Sequence, residues 1–200
     1  MVLIIVQSKL QITHKYMNKY QQLGLANVPK NFRGRSAIIV QTWWTVQSTL
    51  FALSPQVLYQ WRNALLRFFG SKIGSNTLIR PTAKITYPWK LSLGDYCRIG
   101  DEVVLYSLGE IHIGSHTVIS QRSYICTGYH NYHKVSFNII TKPVFIEDQV
   151  WLAADVFVAP GVRIGLGTVV GARSSVFVDL PSGMVCFGTP AKPVRERFIE

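Results

Sequence analysis

The sequence has 200 residues, 48% of them apolar and 12% aromatic, which suffices for the core of one domain and excludes a wholly disordered chain. Its three cysteines, Cys97, Cys126 and Cys186, form no CxxC pair, which argues against a disulfide framework or a cysteine-rich zinc site and favours a reducing compartment. The formal net charge is +11, and the excess lies in residues 1–94, which contain twelve Lys and Arg and no acidic residue. This basic half indicates an anionic partner or serves solubility alone.

Residues 1–35 show no sustained periodicity and are interpreted as an N-terminal extension without assigned structure. Their apolar run at 2–6 follows no basic residue, so it is a poor signal peptide. The most apolar longer stretch, 36–53, is interrupted by polar residues and falls short of the roughly 20 apolar residues that span a bilayer. We therefore expect a cytoplasmic protein without a transmembrane helix.

Residues 36–70 form the predicted helical cap segment, because large apolar residues recur there at spacings of three and four. Ser54 and Pro55 would separate two helices, with Ser54 as the N-cap of the second. We expect the segment to cover an exposed sheet edge of the domain that follows. The alternative is that its aromatic and basic side chains, including Arg62 and Arg67, contact an anionic membrane surface. The periodic positions are Trp43, Val46, Leu50, Leu53, Leu58, Trp61, Leu65 and Phe68.

From Ile73 onward aliphatic residues recur every six positions, which fits neither a helix nor an alternating strand and is typical of a solenoid. Each unit is then a short strand and a bend, with Gly, Asp, Asn or Ser at the bend. Stacked coils satisfy one another's backbone groups at a spacing of about 4.8 Å. Residues 71–180 are the predicted β-helix, and 181–200 are a C-terminal tail. The repeat positions are Ile73, Ile79, Ile85, Leu93, Ile99, Leu105, Ile113, Ile119, Ile125, Ile146, Leu152, Val158, Ile164, Val170 and Val176.

Three interruptions break this repeat. Two are short, with two extra residues before Leu93 and two before Ile113. The third separates Ile125 from Ile146 by 21 positions, which requires a long loop, assigned to 128–142. A long loop inside a strict repeat is usually functional, so the chemistry is expected there.

Several motifs resemble those of hexapeptide-repeat acetyltransferases, and most closely the WcaF-like group of colanic acid biosynthesis acetyltransferases. The resemblance covers residues 31–197, nearly the whole chain. The motifs are Phe32-Arg33-Gly34-Arg35, Trp43-Trp44, Leu65-Leu66-Arg67-Phe68-Phe69-Gly70, Tyr124-Ile125-Cys126-Thr127-Gly128-Tyr129-His130-Asn131-Tyr132, Ile139-Ile140-Thr141-Lys142-Pro143, Val150-Trp151 and Gly188-Thr189-Pro190-Ala191-Lys192.

The resemblance implies an all-β fold, a left-handed parallel β-helix of hexapeptide repeats with an N-terminal helical segment. The left hand rests on the resemblance only, because parallel crossovers generally favour the right hand. It further implies acetyl-CoA as co-substrate, no metal, a sugar hydroxyl as acceptor in exopolysaccharide biosynthesis, and a homotrimer with active sites between subunits.

His130 is the expected catalytic base, because it lies in the long loop where similar enzymes place their catalytic histidine. A base with a near-neutral pKa can take the proton from a sugar hydroxyl as the oxygen attacks the thioester. The bland alternative is a loop histidine satisfied by hydrogen bonds. Trp151 is the second catalytic candidate, since its position resembles that of an aromatic residue beside the acyl-CoA, where it would shield the thioester. A packed surface tryptophan is the bland alternative for Trp151.

The resemblance also implies a set of cofactor-binding residues beside Trp151. The backbone N–H of Ala154 is a candidate oxyanion donor, and Ala172 corresponds to a small residue beside the pantetheine arm. Arg173, Lys192 and Arg195 would meet the anionic end of the nucleotide, unless they are only solvated surface charges. Similar enzymes often carry Lys near the position of Val178, and a valine side chain cannot bind phosphate.

The acceptor site is the least specified, and Tyr106, Ser107 and Tyr129 are its candidates. Similar galactoside acetyltransferases carry an acidic residue near Tyr106, whereas this chain has none before Glu110. We therefore expect the acceptor to be held differently.

Two other functions remain open at this point. A γ-class carbonic anhydrase-like lyase uses a similar fold, and two pairs of histidines could supply zinc ligands. A scaffold or nucleic-acid binder would use the basic half, but no recognised nucleic-acid motif accompanies it, so we expect no nucleic-acid partner. The histidine pairs are His112 with His116 and His130 with His133.

Overall fold

The computed structural model describes residues 20–200, so residues 1–19 of the predicted N-terminal extension lie outside the described residues. The described chain divides into two units. The smaller unit joins the described part of residues 1–32 to residues 129–140, and the larger unit comprises residues 33–128 and 141–200.

The larger unit begins with two helices in the predicted cap segment. Helix α1, Ala37–Val46, continues as a π-helical turn, Gln47–Phe51, and helix α2 spans Tyr59–Phe68. The α1 face that carries Val40 and Trp43 is fully buried, as the three- and four-residue spacing predicts.

The remainder of the larger unit is built from very short strands. Most contain two or three residues, because each six-residue unit forms one side of a coil and must hold both a strand and a bend. In chain order the strands of the described residues are β1 Lys72–Ile73, β2 Leu78–Ile79, β3 Lys84–Ile85, β4 Leu91–Leu93, β5 Arg98–Ile99, β6 Val104–Tyr106, β7 Ile111–Ile113, β8 Val118–Ile119, β9 Tyr124–Cys126, β10 Gly128–His130, β11 Ile139–Thr141, β12 Val144–Ile146, β13 Trp151–Leu152, β14 Phe157–Val158, β15 Arg163–Ile164, β16 Val169–Val170, β17 Ser175–Val176, β18 Met184–Gly188 and β19 Ala191–Glu196.

Three parallel sheets form the faces of a solenoid of about 6 turns. Face A has the strand order β1-β4-β7-β12-β15, and face C has the order β3-β6-β9-β14-β17. Face B runs β2-β5-β8-β13-β16-β18-β19, and its last strand is antiparallel to β18. A chain that contributes one strand to each face in turn is the architecture that the six-residue period predicts.

The aliphatic repeat positions stack into the core of the solenoid. On face B, Ile79 lies beside Ile99 and Ile99 beside Ile119, and all three are almost fully buried. The first two-residue insertion is accommodated by a 3-10 turn at Pro88–Lys90, between β3 and β4. The predicted register is therefore confirmed, and its first short break forms this turn.

The glycines that follow the aliphatic positions have a different role from the one expected. Left-handed backbone angles at the bends occur mostly at other residues, such as Asn76, Glu102 and Asp155. Gly114 instead permits a close approach between coils, because an added Cβ would lie 2.1 Å from Oδ1 of Asp148. Close packing against the next coil explains glycine at this position.

We expect Gly114→Ala to lower the free energy of unfolding by about 1–3 kcal/mol, since the new methyl group would push Asp148 away. That carboxylate accepts a hydrogen bond from the Ser115 N–H at 2.8 Å. Denaturant unfolding measures the change. Gly24→Ala is the control, because no described atom lies within 4 Å of its added Cβ. Equal stability of the two variants would contradict the close approach.

Polar side chains of the helical segment bind backbone groups of the first coil, which has no preceding coil to pair with. The Trp43 indole N–H donates to the Ile85 carbonyl at 2.8 Å, and the Asn63 amide donates to the Thr77 carbonyl at 2.7 Å. The Arg62 Nε donates to the Ile79 carbonyl at 2.7 Å. These bonds give the segment the edge-covering role expected of a cap.

The structure contradicts one expectation about the helical segment and restricts another. Helix α2 begins at Tyr59 without a side-chain cap, and Ser54 instead donates to the Phe51 carbonyl and accepts from Arg62 Nη1. Arg62 is fully buried, so its guanidinium is not free to contact lipid, whereas Arg67 donates to the Ile73 carbonyl and remains exposed. Among the described residues no helix combines the length and apolar character needed to cross a membrane.

Candidate active site

The long interruption of the repeat forms a β-hairpin. Strands β10 and β11 pair with each other, and the Asn131 N–H donates to the Asn138 carbonyl at 2.9 Å just beyond them. Tight turns fill the tip, where the Phe137 N–H donates to the Lys134 carbonyl at 2.9 Å. The hairpin therefore presents His130, the last residue of β10, on a locally ordered backbone.

His130 has the geometry of an oriented base. Its Nδ1 lies 2.8 Å from the Phe137 carbonyl oxygen, and the two rings stack with centroids 4.4 Å apart at an angle of 4°. Because a carbonyl only accepts hydrogen bonds, Nδ1 carries the proton and Nε2 of the neutral ring keeps its lone pair. The side chain is exposed, so Nε2 can accept a proton from a bound hydroxyl.

Trp151 lies on face B as the first residue of β13. Its indole is 47% exposed, and its N–H donates to the Ser120 hydroxyl at 3.0 Å. In the sheet, Trp151 is in register with Val118 and Val169 of the two neighbouring strands. An anchored but half-exposed indole offers one apolar surface to a ligand.

Ala154 and Arg173 lie in adjacent coils at the bend that follows face B. The Arg173 N–H donates to the Ala154 carbonyl at 2.8 Å. Ala172 is exposed beside them, and its small side chain leaves the surface open. The Arg173 side chain is 86% exposed, with its Nε 3.9 Å from Oδ2 of Asp155, so its charge faces solvent.

Lys192 and Arg195 lie on β19, the last strand of face B, opposite Phe187 and Val185 of β18. Strands β16 and β18 separate β19 from Trp151 on β13, a distance of about 14 Å at ordinary strand spacing. The predicted cofactor-binding residues thus lie on one face of the solenoid and its adjoining bend.

The three predicted acceptor residues differ in their burial. Ser107 is fully buried and its hydroxyl bonds to both the N–H and the carbonyl of Tyr87, which argues against contact with an acceptor. Tyr106 is half-buried on face C, with its ring 5.9 Å from that of Tyr124. Burial raises the pKa of Tyr106 and raises that of Tyr124 to about 12, so both phenols stay protonated at neutral pH. Tyr129 lies half-buried on β10 beside His130.

The histidine pairs do not assemble a metal site. The Nε2 of His112 lies 2.9 Å from Oε2 of Glu110, and its ring stacks on Phe145. His116 stacks on Tyr96. Within residues 20–200 no group of three His, Cys, Asp or Glu side chains is arranged to hold a metal ion. The structure gives no support to the carbonic anhydrase-like alternative.

Comparison with known proteins decides the family. No protein-family model matches the chain. The chain is 63% identical over 177 residues to the protein assigned as the colanic acid biosynthesis acetyltransferase WcaF of Escherichia coli (strain K12), and the match covers 88% of this chain and 97% of that protein. The chain belongs to the WcaF-like family of hexapeptide-repeat acetyltransferases.

More distant relatives of this WcaF-like chain agree with that assignment. The galactoside O-acetyltransferase of Lactococcus lactis subsp. lactis (strain IL1403) is 34% identical over 139 residues, which cover 66% of each chain. The hexapeptide-repeat acetyltransferase of Vibrio cholerae O1 biovar eltor, solved with acetyl-coenzyme A, aligns with a TM-score of 0.74 at 27% identity over 83% of this chain and 92% of that one. The left-handed β-helix implied by the resemblance is confirmed, and the WcaF-like chain is an acetyltransferase.

The sequence gives no sign of the residue that orients His130. Phe137 acts through its backbone carbonyl, and its φ of 46° is rare for a bulky side chain. Neither property can be read from residue identity, although an aromatic residue seven positions after a candidate base is compatible with ring stacking across a hairpin.

Proposed function

We propose that this WcaF-like enzyme transfers acetyl from acetyl-CoA to a hydroxyl of a sugar in exopolysaccharide biosynthesis. The observation that carries the proposal is His130, whose Nδ1 faces the Phe137 carbonyl and whose Nε2 is left as a base. The names of the relatives, a colanic acid biosynthesis acetyltransferase and a galactoside O-acetyltransferase, support the sugar acceptor.

In the proposed reaction, His130 Nε2 takes the proton from the acceptor hydroxyl as the hydroxyl oxygen attacks the thioester carbonyl carbon. The C–S bond then breaks, and the imidazolium returns the proton to the departing thiolate. The products are an acetyl ester and the free thiol of CoA, with no acyl-enzyme. The Ala154 N–H is the proposed hydrogen-bond donor to the carbonyl oxygen as negative charge develops there.

The residues of face B fit an extended thioester with an anionic end. Trp151 offers an apolar surface for the acetyl end, and the small side chain of Ala172 leaves room for a narrow arm. Arg173, Lys192 and Arg195 are all exposed and supply positive charge for phosphate groups. Tyr106 and Tyr129 remain the proposed acceptor contacts.

A homotrimer is the proposed assembly, because His130 and Trp151 are both exposed in the single chain. An activated thioester needs a site that excludes water, and a neighbouring subunit would provide the missing wall. Use of acetyl-CoA places the proposed reaction in the cytoplasm.

An acceptor screen tests the proposal. Purified protein is incubated with acetyl-CoA and candidate sugars, and thiol release is followed together with the mass of the sugar product. We expect thiol release that depends on the sugar and yields a hydroxylamine-labile ester. An amide product would instead identify an amino-sugar acceptor, and no acetylated product would refute the proposal.

We also propose that the helical segment rests on the anionic inner surface of the membrane. Large apolar side chains are exposed along it, and Arg35 lines a shallow groove together with Ile39 and Phe68. No acidic residue precedes Asp95 to repel lipid phosphates. The exposed apolar residues are Ile38, Leu50, Leu53, Val57, Trp61 and Phe68.

We expect the triple variant Leu53→Ser, Val57→Ser and Phe68→Ser to bind anionic vesicles about tenfold more weakly, because less apolar surface enters the interface. These side chains are 79%, 79% and 84% exposed, so their loss leaves the fold intact. Vesicle co-sedimentation measures the binding. Phe177→Ser, on the solenoid and 53% exposed, is the control. Unchanged binding by the triple variant would rule out this surface.

A further inference from the structure

Residues 20–32, here called the N-terminal strap, lie against the hairpin within the smaller unit. The Gln22 N–H donates to the Val135 carbonyl at 2.7 Å. The Asn27 N–H donates to Oδ1 of Asn138 at 2.8 Å. Backbone donors of the strap therefore hold the hairpin at two points that are more than 100 residues away along the sequence.

A short helical turn fixes the spacing of these two donors. The 3-10 turn Leu23–Leu25 lies between them, closed by bonds from the Leu25 N–H to the Gln22 carbonyl and from the Ala26 N–H to the Leu23 carbonyl. Because this hydrogen-bonded turn links them directly, the strap presents Gln22 and Asn27 as a pair rather than as two independent contacts.

The two contact points flank Phe137, the residue that holds His130. Val135 lies two positions before it and Asn138 one position after it. The left-handed backbone of Phe137, with a φ of 46°, is costly for a bulky residue and persists only where its surroundings support it. The strap lies outside the hairpin in sequence and bonds to this stretch on both sides of Phe137.

We infer that the strap positions the catalytic base: it holds the backbone around Phe137, whose carbonyl in turn fixes the ring of His130. Asn138 is the central positioning residue, because its carbonyl closes the hairpin and its side chain receives the strap. The inference rests on the proposed role of His130 and assigns a function to part of the N-terminal extension.

A pair of variants at position 27 isolates the strap contact. Asn27→Pro removes the N–H donor, whereas Asn27→Ala keeps it. The preceding Ala26 has φ −66° and ψ 128°, which is the extended conformation that a residue before proline adopts. We expect amide exchange in residues 129–140 to accelerate about fivefold in Asn27→Pro only.

The same pair separates positioning from general stability. We expect kcat to fall about tenfold in Asn27→Pro with the KM for acetyl-CoA unchanged, because the proposed cofactor residues lie on the solenoid. Asn138→Leu should show the same loss of kcat. Asn138→Asp should keep kcat near the wild-type value, because the carboxylate accepts the same hydrogen bond. The thermal midpoint of the solenoid should be the same in all four variants.

The outcomes are distinct. Wild-type protein that transfers no acetyl group refutes the proposed function, and the catalytic role of the strap with it. Active wild-type protein with unchanged loop exchange and unchanged kcat in Asn27→Pro overturns the strap alone. A kcat in Asn138→Asp as low as that in Asn138→Leu would show that loss of the strap hydrogen bond is not what lowers kcat.

Discussion

His130→Ala is expected to lower kcat by about 10²–10⁴-fold, the usual contribution of a positioned general base. The side chain is exposed on a hairpin, and its Nδ1 bonds to the Phe137 carbonyl, which can bond to water instead. The loss should therefore appear in the chemical step rather than in folding. Thiol release from acetyl-CoA in the presence of an acceptor measures it.

Two controls separate the base from its surroundings. His133→Ala removes a neighbouring exposed histidine of the same hairpin and should keep kcat within about threefold of wild type. The affinity of His130→Ala for CoA, measured by calorimetry, should be unchanged because the proposed CoA surface lies on face B. A rate for His130→Ala within a factor of a few of wild type would remove His130 from the mechanism.

Arg62→Ala is expected to lower the free energy of unfolding by about 3 kcal/mol or more. The guanidinium is fully buried and donates from Nε to the Ile79 carbonyl at 2.7 Å, from Nη1 to the Ser54 hydroxyl at 2.8 Å and from Nη2 to the Gln56 carbonyl. Truncation leaves the Ile79 carbonyl buried without a donor, removes the bonds to Ser54 and Gln56, and opens a cavity between the helices and the first coil. Denaturant unfolding measures the loss.

Two matched variants test whether the loss depends on the planar guanidinium of Arg62 and on its buried position. Arg62→Lys keeps the charge but not the planar fork, so it should recover only part of the stability. Arg98→Ala, on an exposed position of face B, should change stability by less than about 0.5 kcal/mol. Arg62→Ala as stable as Arg98→Ala would show that the helical segment does not depend on this arginine.

The solenoid could be predicted from the sequence because its core has a simple period. Ile79, Ile99 and Ile119 are buried one above another for the same reason that they recur along the chain: each face receives one aliphatic residue per coil. The long loop is the gap in this period, which drew attention to His130. The left hand came from the resemblance, since period alone does not encode it.

Other features depend on contacts that no local pattern encodes. Arg62 has the sequence appearance of a solvent-facing charge on an amphipathic helix, yet it is buried and donates to a carbonyl of the first coil. Ser107 follows a surface strand but is buried against Tyr87 twenty residues earlier. Phe137 contributes through a backbone carbonyl, and the strap through backbone N–H groups, so their residue types carry no signal.

The most direct test of the proposed function is a measurement of product identity and stoichiometry. Wild-type protein is given acetyl-CoA and an oligosaccharide acceptor, and free thiol and acetylated sugar are quantified in the same reaction by absorbance and NMR. The proposed mechanism predicts one O-acetyl ester for each thiol released, with both lost together in His130→Ala. Thiol release without an ester, or ester formation that persists in His130→Ala, would contradict it.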